Sequence, residues 1–402
     1  MKMPTQIKHK SSTTASRAVV GAVTTTIACV IPVFLVAGLA VQIRDELRFD
    51  PAGLGLAISS YFAIGAFASV PSGALVERFG PTATARTGIA VSALSMVAIG
   101  LVARSYPVLL VLLALSGVGN ALGQLSSNAT LAAHVPPRKQ GVSFGVKQAA
   151  IPVSTLLAGL AVPAVALTAG WRWAFLAGGA LAFGALALVP RDGLVRRTRS
   201  RGGRATGPLL VMGLSTTLAA AGANALGAFL VDSSVAGGLE PAAAGLALTA
   251  GSLVCVIARL FGGWLADRRT GGHIAVVAGS LLLGAVGLAL LAAPRGPAMV
   301  VGVLLGFGLG WSWPGLLNYA VVQLHPQAPA AATSITQTGV YAGGCLGPLS
   351  FGAAAAAFGY STAWLGAAAA LLLAAGLMVG AGRLLGRHST SSTRPVGDHI
   401  AE

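Results

Sequence analysis

Twelve apolar runs, each about as long as a lipid bilayer is thick, fill most of this chain. They cover residues 18–41, 53–76, 83–103, 107–133, 141–167, 171–190, 208–231, 241–266, 273–293, 298–323, 330–357 and 360–382. A helix needs roughly 20 residues to cross the hydrocarbon core, within a range of about 17–25. Backbone lying there must satisfy its own hydrogen bonds, so each run predicts a membrane-spanning helix. The runs 107–133 and 141–167 are long enough to tilt or to extend past the bilayer. Composition removes the soluble alternative: 55% of the 402 residues are hydrophobic and 9% charged, whereas a soluble domain carries about a quarter charged residues. Strand-like alternation is absent, which argues against a transmembrane β-barrel. The fold class expected is an all-α membrane protein.

The formal charge of +16 would suggest nucleic-acid binding in a soluble chain. Here the basic residues sit between apolar runs, without a nucleic-acid-binding motif or basic-aromatic interleaving. Nineteen of the 26 Lys and Arg residues fall in tails, loops and run ends on the face that holds the N-terminus, and 5 fall in loops and run ends on the opposite face. The remaining two, Lys147 and Arg259, lie deeper inside runs. By the positive-inside rule both termini face the cytoplasm, in a multi-pass protein of the cell membrane. A secretory signal is the competing reading of residues 1–17, but no clear small-residue cleavage site follows, and further spans do. The segment 191–207 carries six arginines among Gly and Ser and reads as a cytoplasmic linker that anchors topology. It separates six-helix halves at 18–190 and 208–382, flanked by cytoplasmic tails at 1–17 and 383–402. Cys29, Cys255 and Cys345 all fall in apolar segments and read as small buried side chains. The six His residues form no metal-ligand cluster, and neither a cofactor nor a nucleic-acid partner is expected.

The two halves repeat. Gly73-Ala74-Leu75-Val76-Glu77-Arg78 matches Gly263-Trp264-Leu265-Ala266-Asp267-Arg268 at an offset of 190 residues. Asn128 pairs with Asn318 and Pro136 with Pro326 at 190, and Gln148 with Gln337 and Gly170 with Gly359 at 189. Two copies inserted in the same sense explain a nearly constant offset, and parallel repeats about an axis normal to the membrane are one transporter plan. On these residues the chain resembles the major facilitator superfamily over nearly its whole length. The family pattern after span two is Gly-x-Leu-x-Asp-Arg-x-Gly followed by a basic pair. This chain has Glu77 for the acid, with Pro81 and Thr82 in place of the basic pair, and the second copy has Thr270 and Gly271 beyond Arg268.

The resemblance implies a secondary transporter that moves a small solute by alternating access and works as a monomer. It also implies a latch between the halves at Gly73, Glu77, Arg78, Gly263, Asp267 and Arg268. A carboxylate there can accept from Arg and from the N–H groups that open a helix; the bland alternative is a charged turn that fixes topology. No enzymatic activity is expected.

Ionisable groups inside a bilayer need partners or a watery cavity. Lys147 and Arg259 lie roughly 9–12 Å below the cytoplasmic edge at about 1.5 Å per residue. The resemblance places spans five and eight across the seam from one another, so two cations would meet there and favour an anion between them. Gln148, Gln337, Asn128 and Asn318 lie at similar depth. Asn120, Gln124 and Asn128 recur every four residues as a polar stripe on span four, and Trp311 and Asn318 mark span ten, with Trp313 and Tyr319 nearby. The expected substrate contacts are thus Lys147, Arg259, Gln148, Gln337, Asn120, Asn128, Asn318, Trp311 and Tyr319. Against this stand a Lys147 that snorkels, an Arg259 that braces Asp267, and amides that merely join helices.

Arg259 resembles the span-eight arginine of nitrate and other anion carriers, although the position equivalent to their span-two arginine is Ser69. A small organic or inorganic anion is therefore the leading substrate class. Drug or metabolite efflux is the alternative, and a transporter-like ligand sensor a third. No Asp, Glu or His lies mid-span, Asp232 standing at the outer end of span seven, so proton or ion coupling is left open. Two motifs are decoys. Gly141-Val142-Ser143-Phe144-Gly145 imitates a serine-hydrolase elbow but opens a helix with no acid nearby. Gly117-Val118-Gly119 with Gly123 imitates a dinucleotide loop with no strand before it.

Overall fold

The computed structural model describes residues 5–190, 207–269, 271–293, 296–324 and 329–391, and these are nearly all helical. The first half comprises α1 (Thr5–Gly38), α2 (Ala40–Leu47), α3 (Pro51–Val102), α4 (Tyr106–His134), α5 (Pro137–Ala161) and α6 (Trp171–Ala185). The second comprises α7 (Gly207–Ala236), α8 (Pro241–Arg268), α9 (His273–Leu290), α10 (Pro297–Leu305), α11 (Pro314–Leu324), α12 (Pro329–Phe358) and α13 (Tyr360–Ser391). Proline opens many of these helices, where its missing N–H would be unsatisfied in any case and its fixed φ suits the first turn. Asp50 starts α3 by accepting the Gly53 N–H at 2.7 Å, a typical N-cap bond.

Among the described residues, 11 helical stretches are long and apolar enough to cross a membrane. One of them, α3, has 52 residues, about 78 Å at 1.5 Å per residue and more than twice a hydrocarbon core of about 30 Å. It breaks at Gly80, whose φ of 83° and ψ of 162° leave the helical region. The residue turns the chain between two crossings, and the total is twelve passes. The expected fold class is the observed one.

Three local details differ from the sequence expectation. Helix α1 begins at Thr5 and α13 runs to Ser391, so parts of both expected tails continue their helices. Once a helix exists, each further residue adds a hydrogen bond without a new nucleation cost. The fifth crossing ends in a π-helical turn at Val162–Ala166. The tenth is not one helix: α10 gives way to a π-helical segment, Gly306–Gly310, and then to a turn ahead of Pro314. The linker residues 191–206 and the tail residues 1–4 and 392–402 lie outside the described residues.

Packing follows the repeat. Gly170 (φ 98°) and Gly359 (φ 83°), paired at the 189-residue offset, both take positive φ, before α6 and before α13 respectively. Within the halves α3 packs on α4 and α1 on α5, while α12 packs on α7 and α13 on α9. Between the halves α3 meets α12 and α5 meets α8. Since the first crossing of α3 corresponds to α8, and α5 to α12, one pairing is used twice about a pseudo-twofold axis.

Candidate functional site

The seam is tight on the side away from the termini. A methyl group placed on Gly55 of α3 would stand 2.3 Å from the Pro348 carbonyl of α12, and one on Gly245 of α8 would stand 2.7 Å from the Gly159 carbonyl of α5. Only glycine allows these backbones to approach so closely. Hydrogen bonds follow the same seam. Ser59 Oγ donates to the Cys345 carbonyl at 2.5 Å, and the Thr155 and Ser252 hydroxyls lie 2.6 Å apart.

At the far end the small helix α2 reaches both halves. Arg44 pairs with the fully buried Asp232 of α7 at 2.9 Å, and Tyr360 at the start of α13 also bonds that carboxylate. Two residues on, Glu46 accepts from Arg172 at 2.5 Å and from the Trp171 indole at 2.9 Å. The Arg172 hydrogen bond holds the Glu46 carboxyl below its ordinary range. Arg172 also donates to the Ala103 carbonyl at 2.9 Å.

Between the halves, toward the termini from these closures, lies a cavity with about 840 Å³ of empty space, its opening to solvent included. Phe34, Tyr61, Phe62, Trp311, Trp313 and Tyr341 give it aromatic walls. Asn120, Gln124, Gln148, Asn224, Asn318 and Gln337 bring side-chain amides. Arg259 is the only charged side chain among the described lining residues.

The structure therefore brings six of the expected contacts to one cavity: Arg259, Gln148, Gln337, Asn120, Asn318 and Trp311. It places three elsewhere. Lys147, 1% exposed, turns toward α4, where it bonds Gln124 Oε1 and donates to Asn128 Oδ1 at 2.9 Å. Asn128 faces Lys147 from one turn beyond Gln124 and is not a wall residue. Tyr319 packs edge-on against His273, with ring centroids 5.2 Å apart. The cause is helical rotation: successive residues point about 100° apart, so Gln148 and Asn318 face the cavity while their neighbours Lys147 and Tyr319 do not.

Arg259 is also more engaged than its sequence position implied. The break in the tenth crossing leaves Trp311 outside helical geometry (φ −118°, ψ 1°), so its carbonyl is free to accept. Arg259 takes it through Nε at 3.3 Å and Nη2 at 2.8 Å, and donates through Nη1 to the Gln148 carbonyl at 2.5 Å. One guanidinium thereby joins α8, the broken tenth crossing and α5. Lys147 and Arg259 do not face each other across an empty gap; each is bonded to different groups. No carboxylate among the described residues pairs with either cation.

The aromatic walls at Phe34, Tyr61, Phe62 and Tyr341 were not among the expected contacts. An aromatic in a span reads the same whether it meets lipid or a cavity, and only the halves' packing separates the two cases.

At the face bearing the termini, Arg78 lies over the Phe79 ring at 5.2 Å and Arg268 over Trp264 at 4.0 Å. A methyl on Gly73 or Gly263 would meet nothing within 4 Å. Glu77 is exposed, and the Asp267 side chain lies outside the described residues.

Similarity to known proteins agrees with this architecture. The chain shares 29% identity over 369 residues with a chloramphenicol resistance protein of Streptomyces lividans, covering 86% of this chain and 91% of that one. Its fold matches crystal structures of a bacterial homologue of the human lysosomal transporter Spinster. The inward-facing, occupied form superposes with a TM-score of 0.75 at 16% identity, covering 92% of this chain and 97% of that one. The inward-facing, unoccupied form gives 0.71 at 16% identity, covering 96% and 99%. Two successive stretches, residues 18–211 and 212–398, match the family model for the Major Facilitator Superfamily. With twelve passes, a duplicated half and a cavity at the seam, the chain belongs to that superfamily of membrane transporters.

Proposed function

We propose that this transporter carries a small amphipathic solute with an aromatic or similarly flat apolar body, out of the cell, by alternating access of the central cavity. The observation that carries this reading is the cavity wall, which is aromatic and amide-rich and whose one charged group among the described residues, Arg259, already serves two main-chain carbonyls. The name of the Streptomyces relative accords with efflux of such a compound. Alternating access requires a seam that can close on one side at a time, and the seam here is closed away from the termini. Orientation with both termini in the cytoplasm, which the loop charges favour, would make this a conformation that opens inward. The Gly73–Arg78 and Gly263–Arg268 segments would then form the latch that engages when the inner side closes.

The test is accumulation of labelled chloramphenicol in everted membrane vesicles carrying the chain, energised by a proton gradient. Energy-dependent accumulation, competed by other neutral aromatic compounds, is expected. Equal levels in vesicles with and without the protein, for chloramphenicol and a panel of neutral aromatics, would sink the proposal. Dissipating the gradient in the same assay decides whether protons drive the cycle.

A second reading, transport of a small anion, keeps one observation in its favour. Arg259 lines the cavity with no carboxylate partner among the described residues, and an uncompensated charge in a low-dielectric site attracts an anion. Accumulation of benzoate in place of the neutral compounds would establish it.

A further inference from the structure

The cavity holds polar atoms without partners among the described residues. Asn120 Oδ1 and Trp313 Nε1 are both enclosed, and neither makes a hydrogen bond to a described residue. Both residues line the cavity and are 3% exposed. A buried polar atom without a partner is costly and uncommon, and at a binding site it marks a bond reserved for a ligand. One of these atoms can only accept and the other can only donate.

A third group lines the same cavity. It is Gln124, one turn beyond Asn120 on α4. Its Oε1 is held by the Lys147 ammonium, which donates to Asn128 Oδ1 as well. An ammonium has hydrogens to give and no lone pair to receive, so it fixes which end of the amide faces it. The NH2 donor is then the free end of the Gln124 side chain. Lys147 thus acts through Gln124, as a positioning residue, rather than by touching solute.

We propose that Asn120 Oδ1, Trp313 Nε1 and the Gln124 amide form a recognition subsite for an uncharged aromatic solute that carries a hydroxyl or amide, offering both a donor and an acceptor. A carboxylate offers acceptors only and would leave Asn120 Oδ1 unpaired. Phe34, Phe62 and Trp311 supply the surface for the ring. This rests on the transport reading above and narrows its substrate class.

The test uses the full chain in lipid nanodiscs and three probes with one ring: para-nitrobenzyl alcohol, para-nitrotoluene and para-nitrobenzoate. Calorimetric titration is expected to give about tenfold tighter binding of the alcohol than of the toluene, the scale of one or two net hydrogen bonds. Trp313→Phe keeps an aromatic ring but removes the N–H; it is expected to bring the alcohol-to-toluene affinity ratio from about tenfold towards unity. Lys147→Met, which frees Gln124 to turn, is expected to reduce the preference as well. Equal binding of alcohol and toluene by the wild-type chain overturns the subsite and leaves the transport reading standing. Tightest binding of the benzoate overturns it in favour of an anion site. No binding of any probe overturns both. The wild-type comparison does not depend on any variant folding.

Discussion

Arg44 and Asp232 form an ion pair across the two halves, 2.9 Å apart, in which the Asp232 side chain is fully buried and the Arg44 side chain is about a quarter exposed. The pair sits on the side of the seam that is closed, and Tyr360 bonds the same carboxylate. Removing one member of a buried pair strands the other, whereas removing both removes the desolvation burden as well. Arg44→Ala is therefore expected to cost about 2 kcal/mol of stability, below the range for a fully enclosed pair because Arg44 reaches solvent. The double variant Arg44→Ala with Asp232→Ala is expected to recover part of that loss. Thermal unfolding of the purified protein checks both, and a double variant less stable than the single one would contradict the account.

Glu46 belongs to the same helix but ties α2 to its own half. Its pKa is lowered chiefly by the Arg172 hydrogen bond, with help from Trp171. A carboxyl depressed on folding contributes stability above its unfolded pKa and loses it as pH falls through the folded value. The contribution is thus expected to be full at neutral pH and to fade below about pH 4, the ordinary glutamate range. Glu46→Gln should remove that acid-dependent part, which unfolding midpoints measured between neutral pH and pH 3 would reveal.

Arg259 bonds two carbonyls through separate nitrogens of one planar group. A lysine cannot reproduce that fork. Arg259→Lys is expected to lower transport by about tenfold or more, with a loss of about 1–3 kcal/mol in stability. Wild-type flux in Arg259→Lys would show that charge alone suffices and would favour the anion reading.

Gly55 tests the closed seam. Its α-carbon faces the Pro348 carbonyl with no room for a methyl, so Gly55→Ala must push α3 from α12. A cost of about 1–3 kcal/mol is expected for such overpacking, together with easier labelling of Cys345 by a membrane-impermeant thiol reagent. Cys345 is partly exposed beside Ser59, which makes it a native reporter. Unchanged labelling would argue that this contact does not govern closure.

Much of the fold is legible in the residues because lipid imposes a length and duplication imposes an offset. The Gly170–Gly359 pairing, read from spacing, reappears as two glycines with positive φ at helix starts. The break before Pro314 was less legible, since Gly306–Gly310 is as apolar as a continuous span. Side-chain direction was harder still. Depth along the axis says nothing of rotation, and rotation is what turns Lys147 and Tyr319 away from the cavity. In a soluble helix the polar face marks solvent; here lipid and aromatic cavity walls ask for the same side chains, so Phe34 and Tyr61 carried no distinguishing mark. Polar residues were the better guide, because each needs a partner: Asn120, Gln148, Asn318 and Gln337 all came to the cavity.

The clasp at Arg259 makes one further point about motion. Its two bonds to Trp311 stay within the second half, while its single bond to Gln148 crosses to the first. Under the proposed alternating access the halves part, and the positive charge travels with α8 and leaves Gln148 behind. The wall that α5 would then present to an arriving solute ends in a bare carbonyl oxygen, so the pore would change its electrical character in the same movement that changes its shape.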